Sequence, residues 1–256
     1  MMIHITEACS MNCIHCMSDC KPDGKHMSVD TLKHVANWLQ LNTECKSTVI
    51  SGGEPTEHPQ FIEMMNTLFA EFDKTEQQKI VTITTNGFWC LDHVNEAKEI
   101  AKGSKTVKVF WQVSTDSRYY PKELPTHKKL WREEGFCLCT QCCDRIYPQG
   151  RALVNNLPWE AKASKCFNVR AIAHQLEKPT ISDIVEMLWD RHYTCTPSIN
   201  ILGGIKLGES LLCPQIATIY DSEETIVQAI LDCRCNRCSM ITNQLPDVYK
   251  IIGGFV

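Results

Sequence analysis

The stretch Met2-Ile-His-Ile-Thr-Glu-Ala-Cys-Ser-Met-Asn-Cys-Ile-His-Cys16 decides how the rest of the chain is read. Residues 2–6 have the character of a short strand, and that strand runs straight into the pattern Cys9-x3-Cys13-x2-Cys16. Three thiolates on one short loop suit a 4Fe-4S cluster and leave one iron without a protein ligand. A zinc knuckle is the competing use of the same sulfurs. Zinc asks for a fourth ligand, and Cys20 or His15 stands near enough in sequence to supply it.

Outward from that loop, strands and helices alternate. Ser28 is placed to cap a helix with Leu32, Val35, Ala36 and Leu39 at helical spacing, and Thr48 to Ser51 reads as a buried strand. Pro59 suits the first turn of a second helix, with Phe61, Met64, Met65, Leu68, Phe69 and Phe72 on one face, before a strand over 80–84. A third helix is expected over 92–101, a strand over 107–114, a helix over 126–134, and two last strands over 136–140 and 145–147. Six strands separated by helices predict an α/β fold, a parallel, right-handed, partial (β/α)6 barrel over residues 1–155. Residues 156–256 read as a small C-terminal α+β domain. It has a helix over 182–189, a hairpin over 198–213 turning at Gly203-Gly204, and a helix through Leu231 that starts in a capping-box-like pair, Asp221 and Glu224. That last helix delivers the chain into Cys233-Arg-Cys235-Asn-Arg-Cys238.

Composition agrees with a chain that buries a large core. Of 256 residues, 43% are hydrophobic and 22% charged, and the net charge of −4 gives no footprint for nucleic acid or an anionic membrane surface. No apolar run approaches the roughly 18 to 20 residues of a membrane span, and the first residues lack a basic region followed by an apolar stretch. The expected compartment is the cytoplasm. There the 16 cysteines, clustered at gaps of two and three residues, read as metal ligands rather than disulfides.

The segment Cys9-Ser-Met-Asn-Cys-Ile-His-Cys16, following a strand, resembles the CxxxCxxC motif of the radical S-adenosylmethionine (SAM) family. His15 stands where that family usually has an aromatic residue. Ser51-Gly52-Gly53-Glu54-Pro55 resembles the family's GGE motif, whose backbone groups bind the SAM amino group, so Gly52, Gly53, Glu54 and Pro55 are expected cofactor contacts. Asn86 closes the third strand, and Ser114 and Asp116 close the fourth, where related enzymes hold the SAM ribose or carboxylate. Strand-end capping is the other use of such residues. Gly150-Arg151-Ala152 looks like the GRA segment of relatives with auxiliary clusters, so Arg151 is expected either to contact SAM or to pair with a carboxylate. The resemblance implies a 4Fe-4S cluster on Cys9, Cys13 and Cys16 whose open iron chelates SAM, and reductive cleavage of SAM to a 5'-deoxyadenosyl radical.

Cys195, Gly208, Cys213, Cys235 and Cys238 resemble the twitch domain, which implies a second, auxiliary 4Fe-4S cluster on Cys195, Cys213, Cys235 and Cys238. Cys233 is an alternative to Cys235, and a zinc site has the same thiolate count. Cys137, Cys139, Cys142 and Cys143 read either as buried thiols or as a further cluster. The length and the single-cluster tail resemble 2-deoxy-scyllo-inosamine dehydrogenase, which points to hydrogen abstraction from a small polar substrate, with net two-electron oxidation as one outcome. The rival reactions are modification of a ribosomally made peptide, or of a nucleotide. The chain begins directly at its first strand with no peptide-recognition domain before it, which favours a small molecule. A non-catalytic metalloprotein is the reading from another class, and it predicts no SAM binding. No GxGxxG follows a strand, so electrons are expected from a flavodoxin or ferredoxin partner.

Overall fold

Ile3 and Ile5 in β1 (Met2–Thr6) are fully buried, and the register of the neighbouring strands follows from them. In a computed structural model, which describes residues 1–42, 46–125, 129–133, 135–139, 146, 149–158, 176–190, 197–208, 211 and 213–233, β1 pairs in parallel with β2 (Ser47–Gly52). β3 (Lys79–Thr85), β4 (Val107–Ser114) and β5 (Phe136–Cys139) continue the parallel sheet. Ile3 lies opposite Ile50, Ile50 opposite Ile83, and Ile83 opposite Trp111, so one face of the sheet presents a continuous apolar row.

Helices cover that row. α1 (Val29–Asn42) buries Leu32, Val35, Ala36 and Leu39, as its spacing predicts, and Ser28 Oγ accepts the Thr31 N–H at 3.0 Å. α2 (Phe61–Phe72) buries all six of the apolar residues on its predicted face. The third helix is two pieces, α3 (Phe88–Asp92) and α4 (Val94–Lys102), because His93 leaves helical geometry between them and stacks on Trp89 at 4.7 Å. Of the helix expected over 126–134, the described part is a 3-10 turn, Lys129–Arg132, which buries Leu130 and Trp131.

Beyond β5, the carbon-copy step of strand and helix stops. The strand expected over 145–147 has only Ile146 among the described residues, and a short helix, α5 (Gly150–Val154), follows it. The helix expected over 182–189 spans Ile181–Asp190. β6 (Ser198–Ile199) pairs in parallel with β1 on its free side, and β7 (Gly204–Lys206) and β8 (Gln215–Thr218) follow antiparallel, giving one sheet of order β5-β4-β3-β2-β1-β6-β7-β8. The predicted hairpin therefore extends the parallel sheet, and Ile199, Ile201, Ile205 and Leu207 enter the same core as Ile3 and Ile50. Asn200 sets its turn, taking the Gly204 N–H on its side chain at 2.8 Å while Gly203 adopts φ +79°. The helix Glu223–Asp232 is capped by Ser222 rather than Asp221. Asp221 is engaged one step earlier, accepting from Thr218 N at 2.7 Å and Thr218 Oγ1 at 2.9 Å to close the turn after β8. The architecture is mixed α/β with a mainly parallel sheet. Among the described residues, no helix is long and apolar enough to cross a membrane.

Asp73, at the end of α2, ties that helix to the start of β4. Burial pushes its carboxyl up, but the bonds it accepts from Thr106 Oγ1 at 2.6 Å, Thr106 N at 2.9 Å and Ser104 Oγ at 2.9 Å together outweigh that and hold it below the ordinary aspartate value. A depressed carboxyl stabilises the fold above the unfolded pKa of about 3.9, and that stability is lost as pH falls through the folded value. Asp73→Asn is expected to cost about 1 kcal/mol at pH 7, given the partly exposed setting, and the cost should shrink towards zero at acid pH. Urea unfolding of both proteins across that range measures it.

Candidate active site at the carboxyl edge of the parallel sheet

Ligand sites in parallel α/β folds gather at the carboxyl ends of the strands, and here those ends are knitted together by backbone. Thr6 Oγ1 accepts the Ala8 N–H at 2.9 Å and turns the chain out of β1. The Thr6 carbonyl then accepts the Gly53 N–H, and the Ala8 carbonyl the Glu54 N–H, both at 2.8 Å. A Cβ on Gly52 would stand 2.1 Å from Thr6 O and one on Gly53 2.0 Å from Ala8 O, and Gly52 also holds φ +137°. Glycine is demanded here by the cysteine loop itself, which packs flat against the turn.

Two left-handed residues, Asn12 (φ 47°) and Asp19 (φ 52°), curl that loop, and both are types that tolerate the conformation. The Cys16 N–H reaches the Cys13 carbonyl at 3.2 Å, and the Cys9 N–H the Lys21 carbonyl at 2.9 Å. None of the three cysteines is in a disulfide. Met11, Cys13 and Leu124 form a small apolar cluster apart from the main core, with Cys9, Phe88 and Tyr120 packed on it. Burial pushes the Cys9 thiol up to about 12, and the neighbouring Glu54 and Glu57 carboxylates act in the same direction. The Cys20 thiol beside Cys16 pulls the Cys16 thiol down to about 6, with the Arg151 charge helping. His15 packs on Tyr120 at 4.9 Å and Tyr119 at 5.8 Å, and burial lowers its pKa, so it serves as a neutral aromatic ring.

The other predicted contacts are placed around this loop. Glu54 is fully buried and bonds across to the end of β3: Oε1 accepts from Thr56 Oγ1 at 2.6 Å and Thr85 Oγ1 at 2.7 Å, and Oε2 from Asn86 N at 2.8 Å. Burial raises its carboxyl above the ordinary value against the pull of those bonds. Pro55 starts a 3-10 turn, Pro55–Glu57, and Glu57 accepts from Ser10 N at 2.8 Å and Ser10 Oγ at 2.7 Å. Asn86 turns its side-chain oxygen to the Phe88 N–H at 3.1 Å. Ser114 is buried at the end of β4, and Asp116 beyond it meets Arg118 through Nε at 2.7 Å, which holds its carboxyl below the ordinary range. Arg151 donates from Nε to Cys13 O at 2.8 Å, and from Nη1 to Cys20 O at 2.8 Å and Asp19 Oδ1 at 3.0 Å. Of its two expected uses, the carboxylate pairing is present, joined by carbonyl contacts with no local sequence signal.

Asn155, Asp19, Tyr119, Tyr120 and Ser18 were not among the expected site residues. Asn155 follows the GRA segment, and Tyr119-Tyr120 follows Asp116 at a strand end, which are the only signals the sequence offers for them. Leu211 N donates to Ser18 Oγ at 3.0 Å, so the loop after β7 rests on the cysteine loop. Cys213 lies there, close enough to Gly208 that a Cβ at that glycine would fall 2.5 Å from its sulfur. Cys195, Cys235 and Cys238 lie outside the described residues, as do Cys142 and Cys143. Cys233 is buried at the end of the last helix, and Cys137 and Cys139 sit in β5 opposite Gln112 and Ser114.

The donor set fits an iron-sulfur cluster. Three cysteines stand on one curled loop, Cys13 is buried with Met11 and Leu124 while Cys9 packs half-buried beside them, and the strand ends nearby offer polar groups. Among the described residues, no three His, Cys, Asp or Glu side chains stand together as they would around a single metal ion.

No curated protein matches the chain. Among solved structures, BtrN in complex with AdoMet and 2-DOIA aligns with a TM-score of 0.54 at 12% identity, over 94% of this chain and 84% of BtrN. Streptococcus suis SuiB bound to the precursor peptide SuiA aligns with a TM-score of 0.54 at 12% identity, over 94% of this chain and 69% of SuiB. At such identities the likeness is one of fold. A profile of the radical SAM superfamily matches residues 3–135, which takes in the cysteine loop, the glycine turn and the ends of β3 and β4. The match covers more than half of the chain, and the chain belongs to the radical SAM superfamily.

Proposed function

We propose that Cys9, Cys13 and Cys16 hold the 4Fe-4S cluster of a radical SAM enzyme and that the reaction is hydrogen abstraction from a small polar substrate. The observation that carries this reading is the zipper between the cysteine loop and the Gly52-Gly53-Glu54 turn, which holds three thiols against the carboxyl ends of β1 and β2. When bound, the cluster and SAM supply a reductively generated 5'-deoxyadenosyl radical that removes a hydrogen atom from carbon.

The chain's own groups bind, orient and exclude water. The N–H groups of Gly53 and Glu54 are taken by Thr6 and Ala8, so the turn offers carbonyl oxygens, which is what the ammonium of SAM needs. Asn86, Ser114 and Asp116 line the next strand ends, where hydroxyl, amide and carboxylate groups suit a ribose and an amino-acid head. Glu54 acts behind the turn, fixing Thr85 and Asn86 so that the ends of β2 and β3 keep one geometry. Met11, Leu124, Phe88 and Tyr120 shield Cys13 and part of Cys9 from water.

At its carboxyl end, the face of the sheet turned away from the helices carries His4, Ser51, Thr84, Gln112 and Ser114, beyond a deeper row of Met2, Val49, Thr82 and Phe110. Such a polar lining suits a compact molecule with several hydroxyl or amino groups. BtrN, crystallised with 2-DOIA, and SuiB, crystallised with a peptide, align equally well, so fold likeness does not choose between these substrate kinds and the polar face favours the small molecule. An auxiliary 4Fe-4S cluster on Cys195, Cys213, Cys238 and either Cys235 or Cys233 completes the proposal, with a flavodoxin or ferredoxin as electron donor.

Anaerobic reconstitution is expected to load about eight irons per chain, two clusters of four. Isothermal titration with SAM should give one site, and reductant should then yield 5'-deoxyadenosine. A silent titration would leave a non-catalytic metalloprotein as the better reading, and about four irons would remove the auxiliary cluster alone.

A further inference from the structure

Four carbonyls of the cysteine loop converge on α5 and the residue that follows it. Cys16 O accepts the Arg151 N–H at 2.9 Å, Cys13 O accepts Arg151 Nε at 2.8 Å, Cys20 O accepts Arg151 Nη1 at 2.8 Å, and Ile14 O accepts Asn155 Nδ2 at 3.1 Å. The helix stands so close that a Cβ on Gly150, which holds φ +52°, would lie 2.6 Å from Cys16 O. The Arg151 side chain is 16% exposed and that of its carboxylate partner Asp19 39%. A planar fork with fixed donors is matched to carbonyls on both sides of Cys16, a task that the flexible ammonium of lysine cannot reproduce.

We propose that Arg151 is a positioning residue for the catalytic cluster, gripping the loop that carries Cys13 and Cys16 and, through its charge, making the cluster easier to reduce. The inference rests on the reading that Cys9, Cys13 and Cys16 hold that cluster. Reduction adds one negative charge to a centre walled by apolar side chains, and a fixed positive charge inside the ligand loop favours the reduced form where the dielectric is low. Asp19 opposes the effect in part, and its greater exposure weakens its share.

Grip and charge separate by substitution in the reconstituted full chain. The readouts are the midpoint potential of the cluster whose electron paramagnetic resonance signal changes on adding SAM, and the rate of iron loss to a chelator. Arg151→Gln removes the charge, and its reduction equilibrium should be about tenfold less favourable, a fall of about 59 mV for one electron. Arg151→Lys keeps the charge and loses the fork, so its potential should stay near that of the parent while iron leaves several-fold faster. Asp19→Asn leaves the carbonyl bonds in place and should shift the potential the opposite way from Arg151→Gln. Potentials that are equal in all four proteins, or that move in the same direction for Asp19→Asn and Arg151→Gln, would overturn the charge role. Unchanged iron loss in Arg151→Lys would overturn the grip. A SAM-responsive signal that persists without Cys9, Cys13 and Cys16 would instead overturn the reading beneath the proposal.

Discussion

A Cys9→Ala, Cys13→Ala, Cys16→Ala triple variant should fold, keep about half of the roughly eight irons of the parent, and form no 5'-deoxyadenosine under reductant. Folding should survive because these thiols stand outside the main core. Cys13 belongs to a separate cluster with Met11 and Leu124, whereas the helices and strands pack through Ile3, Ile5, Ile50, Ile83 and Trp111. The loop also keeps its shape by backbone, through Thr6, Ala8 and Lys21 on one side and Arg151 on the other. Truncating three thiols therefore removes ligands without removing the scaffold, and loss of activity reports on the cluster rather than on stability. Far-ultraviolet circular dichroism and a melting curve establish the first part, iron analysis and product chromatography the second. Product from the triple variant would show that the radical is made on some other cysteine set.

The parts of this molecule that were readable in the sequence are those fixed by local physics. The buried faces of α1 and α2 follow from helical spacing, and Ser28 caps α1 because a hydroxyl one residue before a helix lies within reach of the N–H groups its first turn leaves without partners. What the sequence concealed depends on partners far along the chain. Glu54 reads as a cofactor contact in a turn that binds through its backbone, and nothing local says that its side-chain oxygens go to Thr85 and Asn86 on the next strand. Arg151 reads as a cofactor or carboxylate contact, but Nε and Nη1 also meet the Cys13 and Cys20 carbonyls, more than 130 residues earlier in the sequence. The hairpin around Gly203 was visible from its turn residues, whereas its attachment to β1 was not, since no local pattern says which strand edge remains open. Asp221 and Ser222 show the same limit at short range: both can cap a helix, and the choice was made by Thr218, which claims Asp221 for the turn before it.

Gly53→Ala is expected to weaken SAM binding by at least tenfold while lowering stability by about 1–3 kcal/mol. The added methyl would sit 2.0 Å from the Ala8 carbonyl, and that oxygen cannot retreat alone because it accepts the Glu54 N–H. Relief requires the glycine turn and the cysteine loop to part, which misplaces the turn's carbonyls and the thiols relative to each other. Gly103→Ala supplies the comparison. It meets a backbone oxygen, Val107 O, at the same 2.0 Å and holds φ +66°, but lies between α4 and β4 at the far edge of the sheet. Both variants should melt lower, by about 2–4 °C for each kcal/mol in a chain of this size. Only Gly53→Ala should lose SAM affinity in isothermal titration. Equal losses of affinity would mean that binding merely tracks stability, and an unaffected Gly53→Ala would mean that the turn does not face the cofactor. The glycines of this motif would then serve the packing of two backbones and nothing more, so the comparison decides whether the zipper at the carboxyl edge is a binding surface or only a joint.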